Sequence, residues 1–245
     1  MVEFLNIMAQ LIFTLLALAV MGSSLLFLLK CYIMPNSSIN AIQALVLSVY
    51  FGAVVLYLLA LIPLHLFRYE VFIAMMFLSI IFTLIWLVAS VKKSRGPLLI
   101  MLKRDLLEVL VVSALFLISL TVQIVPLTSL ILGSIHDTSL HALFAQLIIE
   151  NGQIPETHEP YMPATIIFPQ GAHVIFASSS LILNIPTPLA VFRITPLFSA
   201  LTTLAAYHFG KTLDGRMCAG LSYAFIFTFV SMWPTHITWG GNTFI

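Results

Sequence analysis

Residues 109–155 read VLVVSALFLISLTVQIVPLTSLILGSIHDTSLHALFAQLIIENGQIP. The first part, Val109 to Leu132, carries no charge. A helix needs about 20 apolar residues to cross the hydrocarbon core of a bilayer. At Gly133 the texture changes. Leu140, Leu143, Phe144, Leu147 and Ile148 then recur at helical spacing, the signature of an amphipathic helix over Thr138–Asn151. Asn151-Gly152 supplies its stop. The stretch therefore predicts a membrane crossing that delivers the chain directly to a helix lying at the membrane surface, apolar face down.

Upstream are three more runs of the same kind. Phe4–Leu29 lies between Glu3 and Lys30. Ala41–Leu64 follows the turn residues Pro35-Asn36-Ser37-Ser38. Val71–Val91 lies between Glu70 and Lys92. The first run is too long, and lacks the basic leader, for a cleaved signal peptide. Downstream, apolar stretches cover about Gly171–Leu183, Pro188–His208 and Met217–Trp233. The first is short for a span. It reads as a half-helix or as the end of a span that begins near Met162.

Composition agrees. Of 245 residues 61% are hydrophobic and 8% charged, with a mean hydropathy of +1.11. A soluble domain has about 25% charged residues, so an ordinary soluble enzyme and a disordered chain are excluded. Ten Lys and Arg face nine Asp and Glu. That balance excludes the basic footprint of a nucleic-acid binder. Cys31 and Cys218 have no metal or disulfide spacing and read as buried or lipid-facing thiols. The expected fold is all-α, a polytopic transmembrane bundle of about six or seven spans with a juxtamembrane amphipathic helix.

Lys92, Lys93, Arg95, Lys103 and Arg104 crowd one loop, which the positive-inside rule places in the cytoplasm. The loop 133–170 then falls on the extracytoplasmic side. It has no Lys or Arg, but holds Asp137, Glu150, Glu156, Glu159, His136, His141 and His158.

Each polar residue here has two readings. Asp137 suits a helix N-cap, or a carboxylate held at the water boundary as general base or metal ligand. His141 sits one turn later on the same side. Glu156, His158 and Glu159 lie in a proline-punctuated, extended stretch, either solvated or metal-binding. Pro169 fits a helix first turn. His173 beside it is an interfacial polar residue or a contact for an anionic group. Arg193 either snorkels from a helix end or contacts a phosphate.

The order Asp137-Thr-Ser-Leu-His141, Glu150-Asn-Gly152-Gln-Ile-Pro155, Pro160-Tyr161, Phe168-Pro169-Gln170-Gly171-Ala-His173 resembles the first outer loop of the C-type (GT-C) membrane glycosyltransferases. That superfamily includes oligosaccharyltransferases and protein O-mannosyltransferases. Gly210-Lys-Thr-Leu-Asp214-Gly215-Arg216, then Pro234 and Trp239-Gly-Gly, is similar to the region before the family's second outer acidic motif. The resemblance covers about 109–245. It divides the chain into an N-terminal transmembrane extension, 1–105, and a glycosyltransferase-like module, 106–245, expected to be the front part of a longer protein because Trp239-Gly-Gly-Asn reads as the start of a further loop.

The resemblance implies a sugar donor carried on a polyprenyl or dolichyl phosphate, a glycan or protein acceptor, and transfer on the extracytoplasmic face. Asp137 would be the catalytic carboxylate, either deprotonating the acceptor or holding a divalent metal and the acceptor. His141, His173, Arg193 and Glu159 would bind substrate, and Asp137 with His158 would hold a divalent metal such as Mg or Mn. The second acidic motif is not visible. If all three downstream stretches cross, Trp239 falls on the face opposite Asp137. A transporter or flippase and a non-catalytic scaffold are the competing classes. Mid-span charges are few and no repeat is visible, which disfavours transport.

In a variant stripped of Cys31 and Cys218, a cysteine at position 137 is expected to react with an impermeant thiol reagent from the side opposite to cysteines at 92 and 93. Labelling of all three from one side would overturn the orientation.

Overall fold

The computed structural model describes residues 2–32, 41–61, 68–69, 71–74, 77–78, 80–81, 106–125, 136–165 and 170–229. The third apolar run is described only in part, and the basic loop 92–104, Phe168, Pro169 and Trp239 lie outside the described residues.

Besides short helical pieces at 71–74, 77–78 and 80–81, seven helices with defined bounds and one short hairpin are present among them. They are α1 (Val2–Tyr32), α2 (Ala41–Leu61), α3 (Leu106–Ile124), α4 (His136–Asn151), α5 (Gly171–Leu183), α6 (Thr187–Asp214) and α7 (Met217–Phe229). Strands β1 (Thr157–His158) and β2 (Met162–Thr165) pair antiparallel between α4 and α5. Three helices are long and apolar enough to cross a membrane: Phe4–Ser23, Leu106–Ile124 and Thr187–Asp214. Exposed Leu5, Phe13, Leu16, Leu107, Leu110, Phe225 and Ile226 stud α1, α3 and α7. A water-facing bundle buries such residues, whereas lipid tails tolerate them.

With so few charges, close backbone approach and hydrogen bonds set the packing. Helices α1 and α2 form an antiparallel pair in which Gly22 faces Ser48 and Gly52 faces Leu18. A Cβ on Gly52 would stand 2.0 Å from the Leu18 carbonyl oxygen, and one on Gly22 1.8 Å from that of Ser48. Ser48-xxx-Gly52 is thus a small-residue seam that lets two backbones touch. A second antiparallel pair is α6 with α7. It turns at Gly215 (φ 71°), whose N–H bonds the Lys211 carbonyl at 2.8 Å, a left-handed C-cap that glycine adopts without strain. Gly220 lies against the Tyr207 backbone, and Gly210 against Ala219 and Tyr223.

Helix α3 runs antiparallel to α6. Ser119 meets Thr203 (3.0 Å), and Glu108 pairs with Lys211 (2.5 Å) at one end of the bundle. Gathered at the opposite end are the Ile154 N–H on the Ala60 carbonyl (2.9 Å), the Thr187 hydroxyl on Gln146 (3.3 Å), and Arg193 on Gln10 (3.1 Å). Segments 1–105 and 106–245 contribute to one apolar core, which includes Leu11, Leu56, Leu120, Ile148, Phe176 and Leu197.

Of the two readings of the first apolar stretch downstream of the acidic loop, the half-helix is the one observed: Met162 lies in β2, and α5 begins at Gly171. Its 13 residues span about 20 Å, short of a hydrocarbon core of about 30 Å. It leaves α4 at His173 and the chain meets α4 again at Thr187. With α5 turning back, α6 and α7 are one descending and one ascending helix. The end of α7 therefore points toward the α4 end of the bundle; Trp239 lies outside the described residues. Of the expected apolar face of α4, Phe144, Leu147 and Ile148 are buried, but Leu140 and Leu143 are not. Its buried side is His141, Ala142, Phe144, Ala145, Leu147 and Ile148, packed on α5 and α6, while Leu140 and Leu143 stay half-exposed.

Gly52→Ala is expected to destabilise the protein by about 1–3 kcal/mol, the range for overpacking, measured as thermal unfolding in detergent. Gly171→Ala, where nothing lies within 4 Å of the added Cβ, is expected to be near-neutral. Equal effects at the two positions would refute the close α1–α2 approach.

Candidate functional site

The candidate site is the platform that α4 forms at the end of the bundle. Helix α4 starts at His136, so Asp137 falls in its first turn rather than before it. The Asp137 side chain lies outside the described residues. At its other end Gly152 (φ 70°) stops the helix as the Asn-Gly pair predicts, with Asn151 Nδ2 donating to the Leu147 carbonyl at 2.8 Å. Gln146 bridges outward to Glu150 (2.9 Å) and accepts from Thr187 at the start of α6.

His141 and His173 come together. His141 Nδ1 lies 2.7 Å from His173 Nε2, and the residues are 4% and 2% exposed. One ring donates its N–H and the other accepts, so the pair shares a single proton along this bond. Phe144 packs edge-on against the His173 ring, and Phe176 flanks both imidazoles. Each histidine was legible as a polar residue near a helix start, but the sequence assigned them separately. In the structure they are one unit that locks α5 to α4.

Two cavities flank α4. An apolar groove of about 390 Å³ is lined by Thr138, Ser139, Ala142, Leu143, Gln146, Tyr161, Thr187 and Pro188. Thr138 and Ser139 directly follow Asp137, so the groove runs beside the turn that carries the candidate base. A more polar cleft of about 450 Å³ lies at the far end of α4, where Asn151, Gln153, Glu156 and Glu159 line it with Leu61 and Ile154. Glu159 therefore belongs to this second cleft and not to the Asp137 groove. Glu156 and Glu159 sit around the β1–β2 hairpin, so the proline-punctuated stretch is extended as expected and folds back on itself.

Arg193 is half-buried and donates to Gln10 of α1, below the start of α6. It reaches into the bundle toward α1. Among the described residues no three His, Cys, Asp or Glu side chains gather as a metal site. The proposed ligands Asp137 and His158 have side chains outside the described residues.

Sequence reasoning missed the Glu108–Lys211 ion pair and the buried polar ridge of α6. The signal for the ridge was present, as Ser199, Thr203, Tyr207 and Lys211 at four-residue spacing. It is masked in a reading that counts apolar residues alone.

No protein-family model, curated protein or solved structure matches this chain.

His173→Ala is expected to destabilise the protein by about 1–3 kcal/mol, since it strands a buried imidazole. His141→Ala should cost a similar amount. The double variant should cost less than the two together, because contacting residues couple. Strict additivity in thermal unfolding would show that the pair does not act as a unit.

Proposed function

We propose that this chain is a multi-pass integral membrane glycosyltransferase module that transfers a sugar from a polyprenyl- or dolichyl-phosphate donor to a glycan or protein acceptor on the extracytoplasmic face. The observation that carries the reading is the apolar groove beside the first turn of α4. In the proposed orientation α4 lies at the outer membrane boundary, between the aqueous loop and the spans. An isoprenoid tail would lie along Ala142, Leu143 and Pro188, leaving its sugar at the polar rim of Thr138, Ser139 and Gln146.

In this reading Asp137 takes the proton from an acceptor hydroxyl, or orients an acceptor amide, as the acceptor attacks the anomeric carbon. The C–O bond to the lipid phosphate then breaks, and the departing phosphate carries the bonding pair. A weak nucleophile needs such a base, and the leaving phosphate needs cationic stabilisation. Arg193, the cation the resemblance assigns to that task, would have to leave Gln10 and turn toward the groove to reach the phosphate. The resemblance also implies a divalent metal, which would supply the same charge stabilisation. The step just described uses only the protein's own groups.

The test is transfer of radiolabelled sugar from a polyprenyl-phosphate donor by the full chain in proteoliposomes. Asp137→Asn is expected to lower the rate by about 100-fold or more, the usual scale for a lost general base, with an unchanged melting temperature. Undiminished transfer by this variant would remove Asp137 from the mechanism. Movement of the donor across the bilayer without a covalent product would favour the transporter instead.

A further inference from the structure

The interior between α3, α6 and α7 holds polar groups that sugar transfer does not use. On α6, Thr195, Ser199, Thr203 and Tyr207 follow one another at four-residue steps, and all are buried. Such residues form one continuous ridge on a helix. Opposite them α3 sets Ser119 and Gln123, one turn apart and both buried. The Ser119 hydroxyl lies 3.0 Å from that of Thr203, which lies 3.2 Å from that of Thr228 on α7. Thr228 donates onward to the Ala224 carbonyl at 2.9 Å. This chain of hydroxyls is closed, ending on a backbone acceptor.

Gln123 is outside that closure. The antiparallel register that sets Ser119 against Thr203 sets Gln123 level with Ser199. Gln123 is 1% exposed, yet neither its Nε2 nor its Oε1 has a hydrogen-bond partner. The Ser199 hydroxyl is likewise buried and unpartnered. Two turns further along α6 the Tyr207 hydroxyl lies near the Glu108 carboxylate without a closed hydrogen bond. A carboxamide presents two donors and an acceptor oxygen, and burying it unpaired is strongly unfavourable. Leucine would fit an apolar helix interface far better, so this glutamine needs a partner.

We propose that the α3–α6 interface is a binding site for water, held by Gln123, Ser199 and Ser119. Ordered internal water takes two to four polar partners, and these three side chains supply that number within one helical turn. Among the described residues no full charge lines this part of the interface, which favours a neutral guest over an ion. Ser119 carries the hydration to the hydroxyl chain, and so ties the water to the rotation of α3 against α6. The proposal is independent of the sugar-transfer reading.

Radiolytic hydroxyl-radical footprinting of the full chain in lipid nanodiscs tests it, because radicals born on a bound water mark the side chains beside it. Peptides covering 115–124 and 194–204 are expected to be modified several-fold more than those holding the equally buried Leu11 and Leu56. Gln123→Leu and the smaller change Ser199→Ala should each lower that signal toward the Leu11 and Leu56 level, without raising the melting temperature. Wild-type labelling no greater than at Leu11 and Leu56 would overturn the proposal. So would unchanged labelling in both variants, or a large gain in melting temperature in Gln123→Leu, which would mean that the carboxamide had been buried dry.

Discussion

In an apolar bundle, a polar side chain has to find its partner inside the protein. With 8% charged residues, this chain has few ion pairs to set helix rotation and register. Lys211 with Glu108 does so at one end, and Arg193 with Gln10 ties α6 to α1 toward the other. Between them the Ser119–Thr203–Thr228 chain links three helices. The serines of α5 satisfy themselves locally instead: Ser178 and Ser179 bond carbonyls four residues back, and Ser180 bonds the carbonyl of Ile185 in the turn. The apolar surface supplies the drive to pack or to enter lipid, which is nearly indifferent to rotation. Directional hydrogen bonds and glycine contacts select the arrangement.

The α4 platform follows from the same constraint. Its helix is held on three sides by unlike contacts. The imidazole pair reaches α5, Gln146 reaches α6, and the chain just beyond it bonds the last turn of α2 through Ile154. A helix fixed in this way holds its first turn at a defined position in the bundle. Because α5 is too short to cross, it acts as a buttress, and α4, the hairpin and the start of α6 remain together around one groove.

Much of the architecture was legible. The apolar runs at Phe4, Ala41 and Val109 became α1, α2 and α3, and Asn151-Gly152 ended α4 where it should. The candidate site was legible only as single residues. His141 and His173 were each noticed, but their pairing across 32 positions depends on how α5 docks. Glu159 and Asp137 were grouped because they share a loop, yet Glu159 went with the hairpin to a different cleft. The buried face of α4 was read correctly at Phe144, Leu147 and Ile148 but extends over His141, Ala142 and Ala145 instead of Leu140 and Leu143, because a histidine and alanines fit more closely against neighbouring helices.

By itself the sequence determined that the chain is helical and apolar enough to enter a bilayer, where its helices break, and which segment carries the concentrated acids and histidines. These properties depend on composition and local period, and each is set within a few turns of chain. Tertiary structure alone decided that α5 docks as a short helix beside α4, that two distant histidines are hydrogen-bonded to each other, and that α6 turns a polar ridge toward α3. Those outcomes depend on which surfaces meet. Nearly every surface of such a chain is greasy, so the choice falls to a few glycines, hydroxyls and rings whose partners lie far away in sequence.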